Sequence, residues 1–334
     1  METMRYVMML VLGLSLDGMP VASAQDKMEI YVSPRGSDNN PGTFGKPLKT
    51  LVAARDQVRQ RTPGQSATVF LRGGTYRLTK TFELNEQDSG SKTAPIVYTS
   101  FPGEKVRVIG GVDIAATKCV PVRDPAILER IVSKEARAAV VQLDLKGEGL
   151  DDYGTFKDVG YSRPINRAPM EVFFNGKALT LSRYPNEEFE FIKIDRVTSR
   201  GSVPRNGDYS NRGGAFISHD DRIQKWKAAE EILVHGNFGT VWADDTLRIK
   251  SIDFKKQEFR TVKPHLYGIK GGHFQVLNLL EEIDQPGEYT ICRKTGMLCF
   301  YPPEPLDNAT LSLSLLEEPL IAMEGASHVH FERL

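Results

Sequence analysis

Hydrophobic and polar residues alternate in short runs over most of this chain, and one early stretch breaks the rhythm. After the turn-rich segment "YVSPRGSDNNPGTFGKP", the run "KTLVAARDQVRQ" sets Leu51, Ala54 and Val58 on one stripe, which predicts an amphipathic helix starting near Thr50. The runs "TVFL", "TYRL", "TFEL", "IVYT" and "VRVI" follow at once. Each is about four or five residues long with one apolar face, the pattern of a half-buried strand. The turns between them, "RGG", "EQDSGSKTAP" and "FPGEK", are irregular, which suits stacked coils better than long hairpins.

Near Ala115 the pattern changes. "DPAILERIV" predicts a helix with Asp124 as N-cap and Pro125 at its first position. "MEVFFNGKALTLSRYP" predicts a hairpin across Asn175 and Gly176. "LRIKSIDFKKQEFRTV", "HFQVLNLLEEI" and "GEYTICRKTGMLCFYPP" continue in strands, and the polar "TSRGSVPRNGDYSNRGGAF" reads as a long surface loop. From Ala309 the short-strand rhythm returns in "ATLSLSLL", "PLIAMEG" and "SHVHFERL". The expected organisation is a coil-forming domain over residues 27–114, an inserted β-rich domain over 115–304, and resumption of the coils over 305–334. A stack of coils needs a terminal cap over its last core layer. The strand pattern runs to Leu334 without one, so the expectation is the N-terminal part of a longer protein whose later coils are missing.

Charge narrows the function classes. The chain has 43 basic and 43 acidic side chains and no net charge, so nothing in its balance attracts nucleic acid or an anionic membrane. Residues 1–24 read as a signal peptide, with Arg5 in the n-region, "YVMMLVLGLSL" as the apolar core and "ASA" before a cleavage point at Ala24/Gln25. That predicts a secreted or periplasmic protein. The apolar core is too short to span a bilayer, and no other apolar run approaches membrane length. Three cysteines rule out a disulfide scaffold. Cys292 and Cys299 flank "RKTGML", a hairpin turn with Gly296 in the left-handed position. A two-residue loop sets them opposite each other and a three-residue loop sets them on different faces, so a bridge and free thiols both stand.

Four segments together resemble a known family: "YVSPRGSDNNPGTFGKPLKTLVAA", "VFLRGGTYRLTKTFEL", "PMEVFFNGKALTLSRYPNE" and, the most specific, "EEIDQPGEYTICRKTGMLCFYPP". They look like the N-terminal half of secreted bacterial glycoside hydrolases built as right-handed parallel β-helices, closest to glycoside hydrolase family 141, which contains α-L-fucosidase and xylanase activities on plant cell-wall glycans. The resemblance implies an all-β fold, a pectate-lyase-like β-helix with an N-terminal capping helix and an inserted antiparallel β-rich domain. It also implies hydrolysis by two carboxylates, with the pair on coils beyond Leu334, no organic cofactor, and a polysaccharide or oligosaccharide as partner. In the hairpin, Cys292 and Cys299 stand where the family has an acidic and an aromatic residue, a joint change that argues for pairing. A polysaccharide lyase on the same coils, with a Lys or Arg base and Ca²⁺, is the alternative; a glycan-binding β-helix without turnover is another.

No catalytic residue is assigned from the sequence. Hydrolysing glycosidases need carboxyl groups about 5 to 9.5 Å apart, and adjacent strand residues face opposite ways, so Asp244-Asp245, Glu281-Glu282 and Glu187-Glu188 make poor pairs. "VWADD" sets Trp242 beside two acids, a pattern that suits sugar stacking with hydrogen-bonding neighbours; Trp242, Asp244 and His235 are the candidate substrate-binding residues. Asp38, Asn39 and Asn40 fall short of a Ca²⁺ ligand set and read as a turn feeding the first helix. His328, His330 and Glu332 should face outward together but lack a fourth ligand, so no metal site is expected. The serines lack a nucleophile elbow and the paired glycines read as turns.

Overall fold

The computed structural model describes residues 27–164, 169–187 and 190–334. The expected leader, residues 1–24, lies outside them, as does Glu188 of one acidic doublet. Among the regular elements of the described residues, strands predominate over short helices. Of the described residues, 27–76, 83–107 and 323–334 form one compact unit, and 77–82 and 108–322 form a second.

In the first unit, strands Met28–Val32, Ala67–Leu71, Ile96–Ser100 and Val329–Glu332 lie side by side, all parallel and in register. Period-two alternation turns one row, Ile30, Val69, Tyr98 and Phe331, to the same side. Tyr98 and Phe331 stack there with ring centroids 5.1 Å apart. The helix forms at Leu51–Val58 and buries Leu51, Ala54 and Val58 as the stripe predicts. Its start explains the opening turn. Asp38 Oδ1 accepts the Lys49 and Thr50 N–H groups at 2.8 and 2.9 Å, its Oδ2 accepts the Thr50 hydroxyl, and Thr50 in turn caps the helix through the Ala53 N–H. His330 and Glu332 point outward from the last strand, but His328 precedes it with a φ of 54°, so the three do not form one strand face.

Among the described residues the second unit has three hydrophobic clusters, two of them large. One large core lies between two sheets. The first, in spatial order, is Lys177–Ala178, Val172–Phe174, Thr310–Ser314 and Gly111–Ala115; the second is Thr180–Leu181, Glu288–Cys292, Met297–Phe300, Val141–Asp144 and Val120–Pro121. Val172, Phe174, Ile291, Leu298, Phe300, Leu311 and Leu313 fill the space between. The Asn175-Gly176 turn forms, with φ values of 50° and 78°. The helix Pro125–Arg130 also forms, with Asp124 Oδ1 accepting the Ala126 N–H. One assignment changes. The strand Thr310–Ser314, expected to resume the coils, runs antiparallel between Val172–Phe174 and Gly111–Ala115. Alternation fixes which residues are buried but not whether the neighbour runs parallel, and here Leu311 and Leu313 join the inserted core.

The other large core lies under a nine-stranded sheet and is rich in aromatics, with Phe216, Phe259 and Phe274 packed at 5.1 to 5.5 Å and Trp226 fully buried. The polar segment between Arg196–Ser199 and Ala215–Ile217 is the expected loop with one short turn of helix.

The cysteine hairpin follows neither loop length considered. Its loop has four residues, Arg293 to Gly296, closed by the Gly296 and Thr295 N–H groups on the Cys292 carbonyl at 2.8 and 3.2 Å. Cys292 therefore faces Met297, Cys299 faces Thr290, and all three cysteines are free.

Candidate functional surface

The sheet that carries Trp242, Asp244 and His235 presents its apolar side to the core through Val234, Leu247, Phe274 and Val276. Alternation then turns His235, Asn237, Asp244, Thr246 and His273 to the other side. Register aligns them in two rows across neighbouring strands: Lys193, His273, Asn237 and Asp244 in one, and Gln275, His235, Thr246 and Val159 in the next. Five strands, from Ile192–Lys193 to Val159–Gly160, make this face about 19 Å wide at sheet spacing. Gln275 is covered, its Nε2 donating to the Pro185 carbonyl at 3.0 Å, which leaves the strip from His273 to Asp244 open.

Trp242 sits on the turn that follows this strip, and the turn is held from several sides. Asn237 Oδ1 accepts the Gly239 and Thr240 N–H groups at 2.8 and 2.9 Å, and Phe238 and Ala243 are buried on either side. The buried His265 accepts the Tyr267 N–H at Nδ1, and its Nε2 lies 3.0 Å from the Ala243 carbonyl. The indole is 58% exposed even so. Tyr161 and Tyr267 flank it edge to face, with centroids 5.0 and 5.2 Å away, and Lys270 lies 5.7 Å over the Tyr267 ring. At the other end of the strip, Phe191 packs 4.7 Å from the His273 ring. Between them His235 Nδ1 meets the Thr246 hydroxyl at 2.9 Å and its Nε2 lies 3.8 Å from Asp244 Oδ2.

The three residues singled out from the sequence thus lie on one surface. Tyr161, Tyr267 and His273 complete it and were missed. Alternation within "HFQVL" could have found His273; the tyrosines come from distant loops and left no local signal. Aromatic faces next to hydrogen-bonding side chains suit the C–H faces and the hydroxylated rim of a pyranose ring.

Three acids of the doublets, Asp245, Glu281 and Glu282, are spent on structure. Asp245 turns inward, 1% exposed, and is gripped by Arg163, whose Nε donates to Oδ1 at 2.9 Å and whose Nη2 also reaches the Pro264 carbonyl. Burial raises the Asp245 carboxyl above its usual range against the pull of Arg163. Glu281 and Glu282 lie on a short turn, not a strand, so both are fully buried on different partners. Arg130 holds Glu281 at 2.9 Å; Arg222 at 2.7 Å and the Trp226 indole N–H at 2.6 Å hold Glu282. Glu288 of the same motif receives the N–H groups of Arg183, Asp284 and Gln285, while burial pushes its carboxyl up to about 7. The segment "EEIDQPGEY" is therefore a joint between the two large cores of the second unit. Elsewhere, Asp151, Asp152, Glu171 and Glu317 line a cleft of about 340 Å³ with Arg77. Among the described residues no group of three His, Cys, Asp or Glu is arranged to hold a metal, and no helix is long and apolar enough to cross a membrane.

No family model matches this chain. Its fold is similar to that of a solved glycoside hydrolase, with a TM-score of 0.62 at 20% identity, covering 92% of this chain and 50% of that one. Over 89 residues, 27% of this chain, it is 40% identical to the pectate lyase PEL9 of Emericella nidulans, and over 86 residues, 26% of this chain, it is 40% identical to the uncharacterized protein YwoF of Bacillus subtilis. The chain spans 20% and 16% of those two proteins.

Proposed function

We propose that this chain belongs to an exported carbohydrate-active enzyme of the glycoside hydrolase kind, in which the four in-register parallel strands begin a right-handed β-helix and the second unit presents a polysaccharide-binding surface. The carrying observation is the exposed Trp242, held between two tyrosines at the end of a strip bearing His235 and Asp244. Fold likeness to a glycoside hydrolase and local identity to a pectate lyase support the substrate class. Plant cell-wall glycans are the proposed ligands, with the α-L-fucosidase and xylanase group as the proposed relatives.

Catalysis by two carboxylates is part of this reading, and Asp245, Glu281 and Glu282 are unsuited to it because each is buried against an arginine. The test incubates the protein with a panel of soluble plant-wall polysaccharides. Binding of at least one glycan by this chain, and release of reducing ends by the whole enzyme, are the expected results. Unsaturated uronides that appear only with Ca²⁺ would make the protein a lyase, and binding without either product would make it a non-catalytic glycan-binding protein.

A further inference from the structure

The hairpin of Glu288–Cys292 and Met297–Phe300 has two unlike faces. Tyr289, Ile291, Leu298 and Phe300 pack into the inter-sheet core. Thr290, Cys292, Met297 and Cys299 share the opposite face, because Cys292 is paired with Met297 and Thr290 with Cys299. All four line a cavity of about 250 Å³, closed on other sides by Ile127 and Arg130 from a helix and by Asn278 and Arg293. Cys299 is buried against an apolar cluster that includes Ile131 and Val140, while Cys292 and Met297 are half-buried. Three sulfur atoms thus line one cavity. On its wall Asn278 is buried and its Oδ1 has no hydrogen-bond partner among the described residues, so the cavity also presents an unmet acceptor.

We propose that Cys292, Met297 and Cys299 bind one soft monovalent metal ion of the Cu(I) type. Two thiolates and a thioether are the ligand set that selects such an ion over the hard divalent cations. The geometry favours an ion over a bridge. A direct disulfide needs Cβ atoms about 3.5 to 4.5 Å apart, whereas diagonal neighbours in an antiparallel pair are separated by roughly 7 Å. A bound ion adds two metal–sulfur bonds of about 2.3 Å each, the length known for zinc thiolates, and spans that diagonal. Met297, directly opposite Cys292, supplies the third bond.

Binding breaks two S–H bonds, forms two metal–thiolate bonds and one thioether bond, and releases two protons to solvent with no electron transferred. The resulting centre carries one negative charge. Arg130 and Arg293 line the cavity beside this charge, as do Glu230 and Glu231; Arg130 is paired with Glu281 at 2.9 Å and Arg293 with Glu231 at 3.6 Å.

The test titrates the reduced protein without oxygen against Cu(I) presented as its bicinchoninate complex, with far-ultraviolet dichroism as the check of fold. One ion per chain is expected, with affinity lowered more than about 100-fold in Cys292→Ser and in Cys299→Ala, a ligand loss exceeding that of outer partners. Met297→Leu, which preserves volume, should weaken binding less, and Cys119→Ser should leave it unchanged. Unchanged affinity in either Cys292→Ser or Cys299→Ala, failure of the unaltered protein to take up the ion, or a bridge between the two thiols in the protein as isolated would overturn the proposal.

Discussion

Asp244 and Asp245 are adjacent in sequence and opposite in fate. One stands in solvent 3.8 Å from His235, and the other is closed off under Arg163. Removing the guanidinium leaves a buried carboxylate unpaired, so Arg163→Ala should destabilise the protein by about 3 kcal/mol. Asp244→Ala should fall within about 0.5 kcal/mol of the parent. Urea unfolding of the two variants checks the contrast, and equal losses would contradict it. Glu288 gives a pH signature. Its folded pKa lies above the unfolded one, so between pH 4.5 and about 7 the folded state holds the extra proton and this group's contribution to stability falls as pH rises. Melting temperatures of the parent and Glu288→Gln across that window should diverge in slope, and parallel curves would count against a raised carboxyl. The inward turn of Asp245 was legible from strand alternation. Its partner was not, because Arg163 lies 82 residues away in a loop with no periodicity. Asp88, 2% exposed and held bidentately by Arg59 at 2.8 Å, was hidden for the same reason.

Elements divide along the same line. The first helix was readable because its stripe, its cap and the turn before it agree: Thr50 caps Ala53, and Asp38 satisfies the N–H groups that precede the helix. Thr50→Ala should cost about 1 kcal/mol, and Asp38→Ala a comparable amount through three lost hydrogen bonds. Thermal melts would show both, and an effect near zero for Asp38 would reopen the ion-binding reading of that turn. The strand Thr310–Ser314 was readable as a strand, yet its neighbours were not, since strand pairing over more than a hundred residues of separation leaves no trace in local alternation. The cysteine hairpin shows the finer limit. One residue of loop length decides which side chains oppose each other, and the four-residue turn puts Cys292 against Met297. The turn that carries Trp242 depends on Asn237, so Asn237→Ala should weaken glycan binding along with Trp242→Ala while leaving the buried sheet intact.

At the scale of the whole molecule, the all-β character was visible in the sequence, whereas the pairing of Met28–Val32, Ala67–Leu71, Ile96–Ser100 and Val329–Glu332, parallel and in register, follows only from the structure. The segment that most resembles the glycosidase family does structural work: Glu281, Glu282 and Glu288 tie the two large cores of the second unit together. The surface proposed for substrate is assembled instead from loops and outward strand positions, where no single stretch of sequence is distinctive. That surface is the central claim, and the most direct measurement is the binding isotherm of a soluble plant-wall polysaccharide panel against the parent protein and Trp242→Ala. Saturable binding to at least one glycan, weakened roughly tenfold or more by loss of the indole with no change in melting temperature, is the predicted result. Binding of equal strength in both proteins, or none to any member of the panel, would contradict it.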